Sequence, residues 1–377
     1  MKEQLENEKL ALIAFKSALE LGQSVDKHLL DLYHYDSSKY TFLIPTNEFF
    51  FEDGHSKVEI NSTVRGKDLF FLTDIGNYSI SYNMFGYVNH TSPSDLMNQL
   101  KDGIHASDCH AENVSVIMPL LFNGRQHRRK TREALSCGTA LREIDSMPRI
   151  KNFITFDAHD QGVEHAAYNM EFENFYVSNI LLKQFIEDTN IEELMDTVFI
   201  SPDSGANNRR DIFLNSFNYK EVKRAAGGFY KVRDYNHFVD GKYPVISHEY
   251  IGSDHLDGKT AIIVDDMISS GGSMIDTIDE LHKRGVKHTY VMVTYALFTK
   301  GINDFKKYYE DKKLDGVYVS NLSYIPDSYK KEPWLHVCDC SSYMAKIIYE
   351  LHNNMSLTNT LSDRSIPIKT LEKKFSK

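Results

Sequence analysis

The chain is poor in the residues that mark several protein classes, with one tryptophan, nine prolines and four cysteines in 377 residues. Cys338 and Cys340 are separated by one residue, a spacing poor for a disulfide, and no paired Cys/His set suggests a zinc site. The cysteines are therefore expected to be structural, in a reducing compartment. No apolar stretch approaches the roughly 20 residues of a membrane span, which excludes a helical bundle in the bilayer. The start, Met1-Lys2-Glu3-Gln4-Leu5-Glu6-Asn7-Glu8-Lys9, is too charged for a signal peptide, so the expectation is a cytoplasmic protein with no membrane partner. Positive charge is in deficit as well: the formal net charge is −10, which argues against nucleic acid as the partner. What basic clusters there are must serve a local anion. A hydrophobic content of 41% with 25% charged residues is that of a globular chain, long enough for two domains with their own cores.

The most informative segment is Val264-Asp265-Asp266-Met267-Ile268-Ser269-Ser270-Gly271-Gly272-Ser273-Met274. It follows the apolar stretch 260–264 and reads as a buried strand that ends on two carboxylates, then a small-residue loop, then a helix from about Met274 to Arg284. Backbone N–H groups of 270–273 and the positive end of the helix suit phosphate oxygens. Asp265 and Asp266 suit vicinal sugar hydroxyls or Mg²⁺. An ordinary strand–turn–helix with two solvated aspartates is the plain alternative.

Strand-like and helix-like runs alternate along the chain. Apolar stretches at 68–73, 115–119, 153–156, 197–201, 260–264, 289–294, 316–320 and 334–338 read as buried strands. Helices are expected at 131–146, 273–284 and 342–353. The fold class is therefore α/β, with two doubly wound parallel-sheet domains whose ligands sit beyond the carboxyl ends of the strands. Residues 3–30 carry Leu5, Leu10, Ile13, Phe15 and Leu19 at helical spacing and read as an N-terminal helical extension. The boundaries expected are 1–40 for that extension, 41–188 and 189–361 for the two domains, and 362–377 for a tail. Residues 74–92, rich in Gly, Tyr, Asn and Ser, have no readable role.

The 264–274 run resembles the 5-phosphoribosyl-diphosphate (PRPP) loop of type I phosphoribosyltransferases and of their relatives, the ribose-phosphate pyrophosphokinases. Three further segments resemble the latter family. Phe122-Asn123-Gly124-Arg125-Gln126-His127-Arg128-Arg129-Lys130 is similar to its ATP-contacting segment. Phe153-Ile154-Thr155-Phe156-Asp157-Ala158-His159-Asp160 is similar to the strand end that carries a metal-binding histidine. Ile200-Ser201-Pro202-Asp203-Ser204-Gly205-Ala206 is similar to a second strand end, where an aspartate faces the metal and the pentose. The resemblance implies two domains of the phosphoribosyltransferase type, the first binding ATP. It implies transfer of the diphosphoryl group of ATP to the anomeric hydroxyl of ribose 5-phosphate, giving PRPP and AMP, with Mg²⁺ as cofactor and a homo-oligomer, dimer or hexamer, as the assembly. Arg125 and Gln126 are then ATP contacts, His159 and Asp203 face the metal, and Asp265, Asp266, Ser269, Ser270, Gly271, Gly272 and Ser273 hold ribose 5-phosphate. Lys231 and Arg233, two residues apart as in the family's flexible loop, are with His159 the catalytic candidates, and Gly227 and Gly228 would permit the loop's hinge motion. Arg209 and Arg210 stand in reserve as phosphate cations. Phe51, Asp53 and His55 resemble a family hairpin at the adenine.

The chain departs from the family in two places. His55 stands where glutamate is usual, which bears on purine selectivity, and Ser269-Ser270 stand where aspartate and threonine are usual. Loss of that carboxylate opens an alternative acceptor, a larger ribose-phosphate conjugate such as ADP-ribose. A phosphoribosyltransferase has no use for the Arg125-Gln126 segment. A catalytically inactive regulatory homologue would have little reason to retain His159, Asp203, Lys231 and Arg233.

Overall fold

Strands covered on both faces are apolar throughout, and the apolar runs of this chain form two such sheets. In a computed structural model the first part of the chain contains β1 (Glu3–Gln4), β2 (Leu10–Ala14), α1 (Leu19–Leu32), β3 (Tyr40–Thr41), β4 (Thr46–Phe50), β5 (Ser56–Ile60) and β6 (Asp68–Leu72). There follow β7 (Ser81–Met84), β8 (Tyr87–His90), α2 (Pro93–Ser107), β9 (Asn113–Ile117), α3 (Ser136–Asp145), β10 (Ile150–Phe156) and β11 (Glu171–Phe175). The structure describes residues 2–107, 110–129, 132–220, 222, 225–233, 245–252, 255–358, 360 and 364–376, with the side chains of 231–233 and 245–248 outside that description.

The first sheet has the order β11-β10-β9-β6-β2, parallel throughout. Leu96 and Leu100 of α2 and Leu141 and Ile144 of α3 pack on one face, in a core with Phe71, Val116 and Phe153. The second part contains α4 (Ser178–Asp188), α5 (Ile191–Met195), β12 (Thr197–Ser201), α6 (Asn207–Ser216), β13 (Ala225–Arg233), β14 (Val245–Gly252), β15 (Thr260–Ile268) and α7 (Gly272–His282). It continues with β16 (His288–Ala296), α8 (Asn303–Glu310), β17 (Gly316–Ser320) and β18 (Leu335–Cys338). Its sheet has the order β14-β13-β12-β15-β16-β17-β18 and is parallel except for β13 against β14. Ile278 and Leu281 of α7 join Ile200, Ile263 and Val293 in one core. Elsewhere in the sheet Phe185 of α4 lies edge-on to Tyr290 and Tyr318.

Contacts divide the chain into two units, Met1–Tyr176 with Asn321–Tyr324 and Asp339–Ser362, and Val177–Ser320 with Ile325–Cys338 and Asp363–Lys377. The division is not sequential. The chain returns to the first unit through α9 (Ser341–His352), whose Tyr343 packs on Phe156 and Phe175, before α10 (Ser365–Phe375) rejoins the second. The expected domains at 41–188 and 189–361 thus differ from the structure at both ends: α4 opens the second unit, and 339–361 packs with the first.

The helical extension expected over 1–40 is also corrected. Leu10–Ala14 is a fully buried strand paired with β6, and only Leu19–Leu32 is α-helical. A short continuous apolar run does not tell a buried strand from a buried helix, and here the open edge of a parallel sheet decides it. The expected helix at 131–146 is shorter, starting at Ser136. Residues 74–92 become the β7–β8 hairpin. Phe50 of β4 stacks on Tyr82 of β7 with ring centroids 4.0 Å apart.

Just beyond β6, Asp74 is fully buried. Its carboxylate accepts hydrogen bonds from Gly76 N at 2.9 Å, Ser323 Oγ at 2.9 Å and Tyr324 N at 2.7 Å. Burial pushes this carboxyl up to about 6, although the three donors oppose the shift. A carboxyl raised on folding binds its proton more tightly in the native state, so its contribution to stability is full below the unfolded value near 3.9 and is lost as pH rises through about 6. Between pH 5 and pH 7.5 the wild type should therefore lose about 1.4 kcal/mol relative to Asp74→Asn, which carries no proton to lose. Urea midpoints at the two pH values check this, and an identical pH dependence in the two proteins would remove Asp74 as the cause.

Candidate active site

In the second sheet β13 and β15 flank β12, so the chain changes direction across the sheet there, and open α/β sheets bind their ligands beyond the strand ends at such a reversal. The sequence elements read as phosphate and sugar contacts converge on this point. β15 runs on to Ile268, so Asp265 and Asp266 lie within the strand and not at its end, with Asp265 opposite Val293 and Ile268 opposite Ala296. The helix begins at Gly272, two residues before the expected Met274, which leaves Ser269-Ser270-Gly271 as the loop and places Gly272 and Ser273 in the first helical turn. Gly271, the N-cap, has φ +85°, and a Cβ there would come within 2.6 Å of the Phe305 ring. Only glycine meets both demands. Gly271 supplies no side-chain cap to α7, and a Cβ built on Gly272 would meet nothing within 4 Å.

Asp203 follows β12, where its carboxylate accepts from Gly205 N at 2.8 Å and caps a short 3-10 turn. That turn leads into α6, which brings the buried Arg209 to 3.7 Å from Asp265 Oδ1. The Asp265 carboxyl is held well above the usual carboxylate range, first by burial and then by Asp266 and more weakly Asp203, while Arg209 opposes the shift. Arg209, held in reserve as a phosphate cation, is thus the counter-ion of the acidic strand. Arg210 donates from Nη1 to Gly227 O at 3.1 Å and from Nε and Nη2 to Asp211. Among the described residues no group of three or more His, Cys, Asp or Glu is arranged to hold a metal ion.

Lys231 and Arg233 fall on β13, opposite His248 and Val245 of β14, and their side chains lie outside the described part of the structure. So does the rest of the expected loop, 234–244. The hinge expected at Gly227-Gly228 is replaced by a packed strand. Both glycines are paired with β12 on one side and β14 on the other, and Cβ atoms there would come within 2.2 Å of Tyr250 Oη and Ser201 Oγ respectively. Glycine is required for close approach.

In the first unit the turns after the neighbouring strands β9 and β10 carry the other group. Arg125 and Gln126 are exposed on the turn that begins at Leu121, where Gln126 N donates to Asn123 O at 2.7 Å. Lys130, in the same basic run, lies outside the described residues. Asp157 takes a left-handed backbone, φ +47°, and turns the chain so that His159 is exposed beyond β10. The His159 ring lies 5.4 Å from that of His127, and His127 Nε2 is 3.3 Å from Asp160 Oδ2. His127 and Asp160 were not singled out from the sequence. His127 was counted in the basic tail, and its pairing partner was visible only as the residue after His159.

Phe51, Asp53 and His55 sit on the β4–β5 turn. Phe51 is half exposed, and the Asp53 carboxylate pairs with His55 Nδ1 at 3.1 Å, which holds it below the usual carboxylate range. The turn is tied to the β7–β8 hairpin by Phe85 N donating to Glu52 O at 2.8 Å.

Comparison with known proteins gives two family matches in tandem. Residues 10–147 match the N-terminal domain of ribose phosphate pyrophosphokinase, and residues 176–326 match the phosphoribosyl transferase domain. The first match begins at residue 10, the start of β2, so the segment read as an extension belongs to the domain. The chain is 26% identical to ribose-phosphate pyrophosphokinase 3 of Saccharomyces cerevisiae over 313 residues, 81% of this chain and 85% of that one. It is 22% identical to the ribose-phosphate pyrophosphokinase of Mycoplasmopsis pulmonis, covering 83% of this chain and 87% of that one. The fold matches the crystal structure of phosphoribosylpyrophosphate synthetase from Mycobacterium smegmatis with a TM-score of 0.71 at 21% identity, over 92% of this chain and 100% of that one. Among the described residues no helix is long and apolar enough to cross a membrane. Two tandem domain matches, relatives aligned over most of their length and a shared fold place the chain in the ribose-phosphate pyrophosphokinase family of enzymes.

Proposed function

We propose that the protein transfers the diphosphoryl group of ATP to the anomeric hydroxyl of ribose 5-phosphate, with Mg²⁺, releasing PRPP and AMP for nucleotide biosynthesis. The observation that carries this reading is the glycine-led start of α7 at Gly271, shortly after a strand bearing two aspartates at the reversal point of the sheet. A helix N-terminus with glycine backbone favours a phosphate, and carboxylates one turn away favour sugar hydroxyls. In this reading Ser269 to Ser273 hold the 5-phosphate, Asp265 and Asp266 hold the pentose, and Arg125 and Gln126 bind ATP, whose adenine is met by Phe51, Asp53 and His55.

The residues suit Mg²⁺. The donors offered are the hard carboxylate oxygens of Asp203, Asp265 and Asp266, and Mg²⁺ ordinarily takes only one or two carboxylates and completes its shell with phosphate oxygens and water. Asp203 and His159 would hold it, and it would neutralise charge on the phosphates. The chain's own contribution is alignment of the attacking hydroxyl with the β-phosphorus, and cationic charge from Lys231 and Arg233 on the transferring group. A homo-oligomer is part of the proposal.

A second reading, transfer to a larger acceptor such as ADP-ribose, is favoured by Ser269 in place of a carboxylate and by the open space at Gly272. Comparing kcat/KM for ribose 5-phosphate and ADP-ribose, in wild type and Ser269→Asp, separates the two. The first reading expects ribose 5-phosphate to be preferred and the substitution to be tolerated. A preference for ADP-ribose of tenfold or more, about 1.4 kcal/mol of transition-state binding, establishes the second.

With Mg²⁺, ATP and ribose 5-phosphate the protein should release AMP, since the bond broken lies between the α- and β-phosphates. Chromatography of the nucleotide products decides this, and ADP as the product would sink diphosphoryl transfer. Lys231→Ala and Arg233→Ala should each lower turnover by about 10²-fold or more with little change in melting temperature, because their charge is needed in the transition state and not in a core. Near-normal turnover in both variants would mean that the transferring phosphates are neutralised elsewhere.

A further inference from the structure

The pairing of β13 changes at Gly228. Its register with β12 ends at Ser201 opposite Gly228, whereas its register with β14 continues to Arg233. Beyond Gly228 the strand carrying Lys231 and Arg233 leaves the sheet as a two-stranded arm, and two-stranded ribbons are marginal by themselves. The point of departure is held from both faces. On one, Arg210 Nη1 donates to Gly227 O at 3.1 Å, Asn207 Oδ1 at 3.2 Å and Ser201 Oγ at 3.4 Å. Ser201 Oγ also donates to Asn207 Oδ1 at 2.6 Å. Asp211 Oδ1 accepts from Arg210 Nε at 2.9 Å and Nη2 at 2.8 Å, which fixes the plane of the guanidinium. The absence of a side chain at Gly228 admits this cluster, since a Cβ there would lie 2.2 Å from Ser201 Oγ and 3.4 Å from Arg210 Nη1. On the other face Arg284 lies over Phe229 at 5.3 Å and Tyr250 at 5.8 Å.

We propose that Arg210 is a positioning residue for the transfer reaction: it clamps the shoulder of β13 and so fixes the direction in which the arm presents Lys231 and Arg233. This rests on the function proposed above and goes beyond it. Each nitrogen of the Arg210 guanidinium donates within the chain, so its role is to hold the arm and not to bind a phosphate. Arginine suits the task because a planar fork reaches a carbonyl and a carboxylate at once, where an ammonium group serves as a point donor. Loss of the clamp should therefore lower the rate at which bound substrates react while leaving their binding by the 269–273 loop in place.

The test uses the full chain as wild type, Arg210→Met, Arg210→Lys and Gly228→Ala, with AMP release and amide hydrogen exchange as readouts. Arg210→Met should lower kcat by about tenfold or more, with KM for ribose 5-phosphate changed by less than about twofold. Exchange across 228–233 should quicken by about tenfold while that of β15 stays as in wild type. Arg210→Lys, which keeps a point donor for the Gly227 carbonyl but loses the fork to Asp211, should recover kcat only in part, to between the Arg210→Met and wild-type values. Gly228→Ala displaces the clamp without removing the cation and should give the same split, so it supplies the test if Arg210→Met does not fold. The proposal is overturned if kcat and exchange in Arg210→Met stay within about twofold of wild type. It is also overturned if exchange quickens equally in β15 and lysine gives no recovery, the signature of a general loss of stability. A wild type that releases no AMP overturns the reaction, whereas the exchange pattern alone then decides the clamp.

Discussion

Two adjacent acids on β15, the half-buried Asp265 and the buried Asp266, are the constraint around which the second unit is arranged. Drawing one carboxylate partly out of water beside another is costly, so the fold must bring compensation to the same place. The apolar half of β15 fixes the height of the acids in the sheet. The turn capped by Asp203 then launches α6 at the angle that delivers Arg209. Among the described residues Arg209 is the cation set against Asp265. In the proposed chemistry these carboxylates receive sugar hydroxyls and share a divalent cation with the phosphates.

The segments legible in the sequence are those where one local pattern has one structural solution. The runs at 197–201 and 316–320 became strands with those ends, because continuous apolar residues followed by Pro202 in one case and Asn321 in the other leave little choice of boundary. The 264–274 run was readable for the same reason, since acids followed by small residues suit few environments. Boundaries that depend on a partner were not readable. Leu10–Ala14 has no local mark that distinguishes it from a helix, and its identity follows from the free edge of β6, 54 or more residues away in the chain. β15 outran its apolar stretch because β16 runs alongside it as far as Ala296.

The glycines at 227 and 228 show the same limit in the chemistry of the site. In sequence, Gly-Gly beside basic residues suggests freedom, because glycine lacks a Cβ and explores more backbone space. In the structure the missing Cβ is filled by the hydroxyls of Tyr250 and Ser201, and a position that suggested motion is among the more tightly packed. Arg210 could not be assigned from sequence for the matching reason. Its acceptors come from β12, β13 and α6, and only the register between the first two places the Gly227 carbonyl within its reach.

The division of cations between rigid and extended parts of the second unit follows from when each charge is needed. Arg209 compensates Asp265 whether or not a substrate is present, so it belongs on a helix packed against the sheet, where little entropy is lost on binding. In the proposed reaction Lys231 and Arg233 are needed only as charge develops on the transferring group. A permanent position beside an empty anion site would set two like charges against each other without compensation. Both lie on β13 beyond its last contact with β12, and an unsupported two-stranded ribbon would deliver them imprecisely. The shoulder answers this: Arg210 and Arg284 hold the arm at its root, where restraint fixes direction.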